Sequence, residues 1–365
     1  MGEGPPAGSG AAGSGAVGAG ATRSGAVGPG ARREGPPSSP FAAPAVGAAA
    51  DGASAPPAVV ALGGGHGLSA SLQALRHLTD RLTAVVTVAD DGGSSGRLRR
   101  ELGVLPPGDL RMALAALCDD ADWGRTWRDV VQHRFGGDGE VGGHAVGNLL
   151  IVALWELLGD QVAGLDWVAH LLGARGRVLP MALVPLDVEG DVVPPGGGPA
   201  RVVRGQVALA TAAGRIGGVR LQPPDPPACP EAVEAVEEAD WVVLGPGSWF
   251  TSVLPHLCVP ELAAALVRTR ARRCVVLNLT SSQQETAGLT AADHLGALAR
   301  HAPDLRVDAV VADPRAVGDP EPLGRLCTDL GAQLLLRRVA RSRRDDVHDP
   351  LRLAAAFRDA FEPSA

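Results

Sequence analysis

Short apolar runs alternate along most of the chain with longer segments in which apolar residues recur at helical spacing. The first run, residues 59–62, ends in a glycine-rich turn and is followed by Leu68, Leu72, Leu75 and Leu78. That spacing indicates an amphipathic helix. The second run, residues 82–89, is almost entirely Val, Thr and Ala. Such continuous runs are typical of parallel strands that are buried on both faces.

The same alternation returns in the second half of the chain, with glycine, proline and polar residues between the elements. It predicts a doubly wound, Rossmann-like α/β fold, in which helices cover both faces of a mainly parallel sheet. Residues 119–140 are expected to be irregular. Residues 201–210 and 216–222 are expected to pair as a small antiparallel hairpin insertion at about 200–222. The further predicted strands are 178–188, 240–244, 274–279, 307–312 and 333–339, and the helices are 110–118, 145–158, 166–172, 231–239, 253–268, 290–301, 320–330 and 350–361.

Residues 1–56 consist mostly of Gly, Ala, Pro and Ser, which bury too little apolar surface to offset the entropy of ordering. We expect a disordered tail there and a single Rossmann-like domain over residues 57–365. Arg32 and Arg33 are not followed by the apolar stretch of an export signal. No apolar stretch reaches the length of a membrane span without a charge, Gly or Pro. The expectation is therefore a cytoplasmic protein without membrane insertion.

The composition excludes several classes of binding partner and of catalytic mechanism. The net charge of −7 argues against a general binder of nucleic acid. The five cysteines form no CxxC pair and no cluster with metal-ligand spacing, so we expect free thiols. The sequence contains no lysine and no tyrosine. P-loop, Schiff-base and Ser–Lys mechanisms are therefore excluded, and a cationic contact to a ligand must come from arginine, histidine or the backbone.

Four predicted loops follow parallel strands, namely 63–67, 90–97, 245–248 and 278–285. Because the carboxyl ends of parallel strands open on one edge of the sheet, these loops should lie together near a topological switch point. Two of them are glycine turns, and one opens a helix whose unpaired N–H groups suit a phosphate. A pyrophosphate, or a nucleotide with a second anionic group, would use the backbone amides of both turns, beside Gly65 and Gly247. Tight turns between a strand and a helix are the structural alternative. The strict dinucleotide fingerprint is met only as Gly65-x-Gly67-x-x-Ala70.

Asp90 and Asp91 end the second predicted strand. A carboxylate there can accept ribose hydroxyls, hold Mg²⁺ against phosphates, or form a turn with Gly92 and Gly93. It needs a hydroxyl or a cation between itself and a phosphate, since two like charges 4 Å apart repel by about 4 kcal/mol at an effective dielectric of 20. Arg97 and Arg111 are candidate anion contacts. His144 and Asn148 share one helix face, and a buried Asn needs a backbone or ligand partner.

Several blocks resemble the YvcK-type gluconeogenesis factor family, which is related to 2-phospho-L-lactate transferase. They are GGGHGLS, VTVADDGGSSGRLRRELGVLPPGDLRMAL, GHAVGNLLI, LGPGSWFTS and LNLTSSQQETAGLTAADHL. The resemblance covers residues 59–361 and implies a Rossmann-like fold with a UDP-sugar site, typically for UDP-N-acetylglucosamine. This chain departs from the family at three positions: it has His66 where Thr is common, Met112 where Asn is common and Phe250 where Tyr is common. Carried onto this chain, the implied site is Gly64, Gly65, His66, Gly67, Leu68, Asp90, Asp91, Ser94, Ser95, Arg97, Asp109, Arg111, Asn148, Gly247, Ser248 and Asn278.

The resemblance implies a cytoplasmic regulator that links carbon metabolism, during gluconeogenic growth, to peptidoglycan synthesis and cell shape. Its partners would be a nucleotide-sugar and proteins of cell-wall synthesis, without nucleic acid, and a homo-oligomer is compatible with it. The sequence contains no evident pair of a nucleophile and a base, and this absence favours a regulator without catalytic activity. The alternative is a Mg²⁺-dependent phosphoryl-type transferase, in which Asp90 or Asp91 holds the metal and the glycine loop holds the phosphates. A dinucleotide-dependent redox enzyme is a third hypothesis, against which the imperfect glycine fingerprint counts.

Overall fold

The structure is a computed structural model that describes residues 1–2, 55–279, 288–342 and 346–362. Most of the predicted disordered tail, residues 3–54, lies outside the described residues. Ten strands are described, β1 (Val59–Gly63), β2 (Leu82–Val86), β3 (Arg177–Pro180), β4 (Asp187–Val193), β5 (Arg201–Arg204), β6 (Arg215–Gln222), β7 (Trp241–Leu244), β8 (Arg272–Val276), β9 (Ala309–Ala312) and β10 (Gln333–Leu336).

Seven of these strands form one parallel sheet in the order β10-β9-β8-β7-β1-β2-β3. The central strands are buried along their whole length, as their continuous apolar runs predicted. The predicted α/β fold is confirmed. The chain proceeds from β1 toward β3 on one side and from β7 toward β10 on the other. The order therefore reverses between β1 and β7, and this is where the ligand crevice of a doubly wound sheet lies.

Helices cover both faces of the sheet. The described helices are α1 (Gly65–Leu75), α2 (Gly93–Leu102), α3 (Gly108–Leu117), α4 (Asp122–Gln132), α5 (Val146–Leu158), α6 (Gln161–Leu172), α7 (Gln206–Ala210), α8 (Pro230–Glu238), α9 (Pro260–Arg268), α10 (Ala291–His301), α11 (Pro314–Val317), α12 (Glu321–Asp329) and α13 (Pro350–Phe361). Helix α1 packs beside α3 and α13, whereas α8 packs against α9 and α10 packs against α12. The first three helices lie on one face and the other four on the opposite face, because right-handed crossovers run in opposite directions along the two halves of the sheet.

The antiparallel insertion differs from the predicted hairpin. It is a three-stranded sheet in which β4 lies between β5 and β6, so the two predicted hairpin strands do not pair with each other. Strand β4 buries alternate residues, among them Val188 and Val192, and supplies the centre of this sheet. Gly205, at φ +104°, ends β5, and residues 206–210 turn into α7. The predicted pairing is wrong because β4 lies between the two strands, and the positive φ of Gly205 ends β5 early, so that residues 206–210 are helical.

Residues 119–140, predicted to be irregular, contain the regular helix α4. Its Trp123, Trp127 and Val131 recur at helical spacing and carry the signal that the prediction missed. Gly124 and the many charges masked that signal. No single helix in the described ranges is long and apolar enough to cross a membrane. The segments Trp249–Cys258 and Pro260–Arg268 reach that length only together, across a bend of 81°.

Candidate ligand site at the carboxyl edge of the sheet

The two glycine turns, after β1 and after β7, lie in direct contact at the same edge of the sheet. The Cα atom of Gly67 lies so close to Pro246 and Gly247 that a Cβ atom added to it would overlap their backbone. The Ser71 hydroxyl donates to the Gly245 carbonyl oxygen at 2.9 Å and binds helix α1 to the second turn. The prediction that both turns share one edge is confirmed.

The second turn is held from the neighbouring strand by Asn278. The backbone N–H of Gly247 donates to Asn278 Oδ1 at 2.9 Å, and Asn278 Nδ2 donates to the Gly247 carbonyl oxygen at 2.8 Å. The Gly247 amide is therefore already bound and does not point at a ligand. The idea that amides from both turns converge on one diphosphate is wrong for Gly247. The first-turn N–H groups of α1 are then the backbone donors at this edge whose chemistry suits an anion.

Replacement of Asn278 by Ala should release this turn. Two hydrogen bonds are lost, and the Gly247 N–H and C=O groups lose their partner, so we expect the free energy of unfolding to fall by about 2 kcal/mol. Urea unfolding of Asn278→Ala beside the wild type measures the change. Wild-type stability in this variant would contradict a positioning role for Asn278.

A cavity of about 290 Å³ opens between the two turns. Helix α1 and the β7 turn form two walls, and the end of β8 and a C-terminal segment form the others. The buried His348 imidazole has a pKa of about 4 because of its burial, so it is neutral at pH 7. Its Nε2 atom has no hydrogen-bond partner. The lining residues are His66, Gly67, Ala70, Pro246, Gly247, Asn278, Leu279, Asp346, Val347 and His348.

Asp109 lies against the other side of the first glycine turn. Its carboxylate lies where a Cβ atom of Gly64 would stand, and its Oδ2 atom is buried without a hydrogen-bond partner. Burial, then the charge of Asp90, raise the pKa of Asp109 to about 7, against the opposing effects of the Gly65 amide and of Arg111. A protonated Asp109 removes the like charge that would repel a phosphate at this turn.

Asp90 and Asp91 point to different partners. Asp90 Oδ1 accepts from the Gly92 N–H at 2.9 Å, the Asx turn considered as the structural alternative, while its Oδ2 lies beside Gly108. Asp91 Oδ1 accepts from the Val207 N–H at 3.0 Å, at the start of α7. Asp91 therefore anchors the small sheet to this edge. In the described ranges, no group of three or more His, Cys, Asp or Glu residues could hold a metal ion.

The remaining candidates form a buried polar cluster on the β2 side of the glycine turn. Arg111 and Asn148 lie on facing helices, and the atoms Arg111 Nε, Arg111 Nη1 and Asn148 Oδ1 are buried without hydrogen-bond partners. Burial, then the neighbouring Arg134, lower the pKa of Arg111 to about 10, so it stays cationic. Buried polar atoms normally have hydrogen-bond partners, so these atoms mark a place where a water, an ion or a ligand group would complete the hydrogen bonds.

Other predicted residues have different roles. Arg97 donates to the Gly142 carbonyl oxygen at 2.7 Å and so holds the loop before α5 rather than standing free for an anion. Leu68 is a core residue, and the Ser248 hydroxyl bonds to Thr251 within the π-helical turn. Ser94 is bound within the buried cluster, and Ser95 lies beside Gly108.

The C-terminal wall of the cavity was missed. Asp346, Val347 and His348 are not among the residues that the sequence patterns or the resemblance predicted for the site. Their place depends on α13 packing beside α1, which no local pattern indicates. The one signal in the sequence is a histidine next to a predicted helix start. Residues 280–285 of the predicted loop 278–285 lie outside the described residues.

Residues 59–322 match the family model of 2-phospho-L-lactate transferase CofD. A relative from Mycobacterium tuberculosis (strain CDC 1551 / Oshkosh), which has a provisional gluconeogenesis factor name, is 55% identical over 304 residues, 82% of this chain and 89% of its own length. The gluconeogenesis factor of Bacillus subtilis is 37% identical over 263 residues, 72% of this chain and 80% of its own length.

A crystal structure of a UPF0052 family protein from Bacillus halodurans superposes with a TM-score of 0.73. It is 34% identical, and the match covers 82% of this chain and 97% of that one. Its fold and the two sequence relatives agree with the motifs quoted above. The chain therefore belongs to the CofD-like family that contains the gluconeogenesis factors of the UPF0052 group.

Proposed function

We propose that this chain is a regulator that binds a UDP-sugar, with UDP-N-acetylglucosamine as the reference ligand, at the carboxyl edge between β1 and β7. In this proposal it links carbon metabolism during gluconeogenic growth to cell-wall synthesis and cell shape. The observation that carries the proposal is the cavity of about 290 Å³ between two glycine turns at the topological switch point. This volume is at the lower end for small-molecule sites, so it would hold one part of the ligand.

The chemistry of the edge suits a diphosphate joined to neutral groups. The first turn of α1 offers N–H groups and the positive end of its dipole, without side chains at Gly64, Gly65 and Gly67. The cavity walls add the exposed His66 and the buried His348, and the neutral imidazole of His348 suits a hydroxyl or carbonyl group rather than a second anion. On the β2 side, Arg111 and Asn148 offer unpartnered polar atoms.

A thermal-shift panel tests which nucleotide ligand the protein binds. At a hundredfold excess over Kd, binding stabilises the native state by about 2.7 kcal/mol, which raises Tm by about 5 °C for a chain of this size. We expect this rise with UDP-N-acetylglucosamine, a smaller rise with UDP and none with NAD. The absence of a shift with every UDP-sugar at millimolar concentration would overturn the proposal.

A matched pair of variants tests whether the ligand binds in this cavity. Ala70→Leu fills the cavity from helix α1, while Ala355→Leu adds the same side chain at an exposed position of α13. We expect the first variant to lose the shift and the second to keep it. In the source organism, we expect both a deletion strain and an Ala70→Leu strain to grow poorly on gluconeogenic carbon sources, and normal growth of either strain would contradict the regulatory role.

The transferase alternative has support of its own, because the matching family model is that of a transferase. Asp90 and Asp109 fit one Mg²⁺ ion better than the predicted pair Asp90 and Asp91, since Asp91 is bound to α7. Mg²⁺ needs only one or two carboxylates when ligand phosphates complete its shell. Mg²⁺-dependent turnover of a nucleotide conjugate that Asp90→Asn abolishes and Asp91→Asn retains would favour the enzyme. UDP-N-acetylglucosamine recovered unchanged with Mg²⁺ favours the regulator.

A further inference from the structure

Helix α5 presents an apolar face to solvent. Its sequence, VGNLLIVALWELL, contains one charged residue, Glu156. A helix that is apolar on all sides is normally buried on all sides. Leu157 nevertheless exposes 79% of its surface, the largest fraction among the large apolar side chains of the described ranges after the terminal Met1. The part of the chain that the structure describes therefore leaves one side of α5 uncovered.

The inner and outer sides of α5 are separated along its whole length. The inner side packs against α6, α4 and α3, and it carries the buried residues Gly147, Asn148, Ile151, Val152 and Trp155. On the outer side, positions separated by four, three and four residues line up as a stripe. The first two are half-buried and the last two are exposed. The stripe consists of Val146, Leu150, Ala153 and Leu157.

This stripe is suited to pack against a second copy of itself. Its centre lies between Leu150 and Ala153. A two-fold axis through that point, perpendicular to α5, would bring a second α5 antiparallel to the first. Leu150 would then face Ala153 of the second copy, and Val146 would face its Leu157. Larger side chains opposite smaller ones allow the two helix surfaces to interdigitate.

The charges at the two ends of α5 favour the antiparallel orientation. The exposed Arg134 lies beside the start of the helix, where its backbone pairs with Ala145. Glu156 is exposed in the last turn. In the antiparallel pair, each Glu156 lies level with Arg134 of the other copy. In a parallel pair, like charges would meet at both ends, which disfavours that orientation.

We propose that α5 is the central contact of a two-fold homodimer, in which two copies of this chain pack their α5 helices antiparallel. This inference does not depend on the proposed ligand. Two helices about 20 Å long give less than the about 800 Å² per partner of a standard interface. The partly exposed Phe135 and Val141 precede the start of α5 and enlarge the contact. We therefore expect a Kd in the micromolar range.

Analytical ultracentrifugation of the full-length chain tests the dimer. At about 100 µM, well above a micromolar Kd, we expect twice the 37.0 kDa of one chain. Leu157→Asp should raise the Kd at least tenfold, because it buries a carboxylate against Val146 of the second copy. Each single chain should still fold, since Leu157 is exposed there. The control Leu351→Asp changes another exposed leucine, in α13, and should leave the Kd unchanged.

Charge reversal tests the orientation of the two helices. Glu156→Arg and Arg134→Glu should each weaken association severalfold, since like charges then face each other. The double variant should recover the wild-type Kd, because the pair is restored with its signs exchanged. A wild-type monomer at about 100 µM would overturn the inference and leave the face to another protein or to residues 3–54. A dimer that Leu157→Asp leaves intact, or a double variant without recovery, would overturn it as well.

Discussion

Replacement of Gly67 by Ala is expected to lower the free energy of unfolding by about 3 kcal/mol, although Ala is the better helix former. The added Cβ atom would meet the Pro246 carbonyl group and the Gly247 Cα atom. Both are backbone atoms of a turn that Ser71 and Asn278 hold in place, so they cannot move aside cheaply. UDP-N-acetylglucosamine should bind at least tenfold more weakly, since the two walls of the cavity are forced apart.

The matched control is Gly324→Ala in α12, where an added Cβ atom has no neighbour within 4 Å. There the substitution should stabilise the fold by about 0.5–1 kcal/mol, because Ala loses less backbone entropy in a helix. Urea unfolding of the two variants side by side measures the contrast. If both Ala variants gained stability equally, the close contact between the glycine turns would not exist in solution.

The second large effect concerns pH. Asp109 has a pKa of about 7 in the folded protein and the ordinary carboxyl value of 3.8 when unfolded. The native state therefore keeps a proton that the unfolded state loses, and stability falls as pH rises from about 4 to about 7. Asp109→Asn removes this dependence. We expect the variant to be more stable than the wild type by about 2–4 kcal/mol at pH 8 and to differ little at pH 4.

Denaturant unfolding at a series of pH values measures this difference. Asp80→Asn is the control, since Asp80 is an exposed carboxylate whose replacement should leave the wild-type profile intact. Parallel profiles for wild type and Asp109→Asn would contradict the burial of Asp109 against the glycine turn.

The central architecture follows from local patterns. The strands β1, β2 and β7 are continuous apolar runs, and burial on both faces is the physical reason for such runs. Glycine turns after two of them predicted the ligand edge, because glycine allows helix N–H groups and backbone to come close. These features need only the sequence near each element, and they were predicted to within a few residues.

The details of the site depend on partners that are distant in the chain. Nothing near Asn278 shows that its amide binds Gly247, and nothing near Asp91 shows that its carboxylate caps α7. The error over the hairpin has the same origin, because β4 lies between β5 and β6 and pairs with both of them. Side-chain roles were therefore less predictable than strand positions, and the resemblance supplied candidate residues but not their hydrogen bonds.

The pairing of β1 with β7 has a consequence for biosynthesis. These neighbours stand about 182 residues apart in sequence, as the Ala58 to Asp240 contact beside them shows. On the ribosome, β1 can pair with β2 early, but its other edge stays open until β7 emerges. Nascent chains of intermediate length thus present a bare apolar strand edge, and contacts of such long range are slow to form. We expect the growing polypeptide to depend on chaperones until translation passes residue 244.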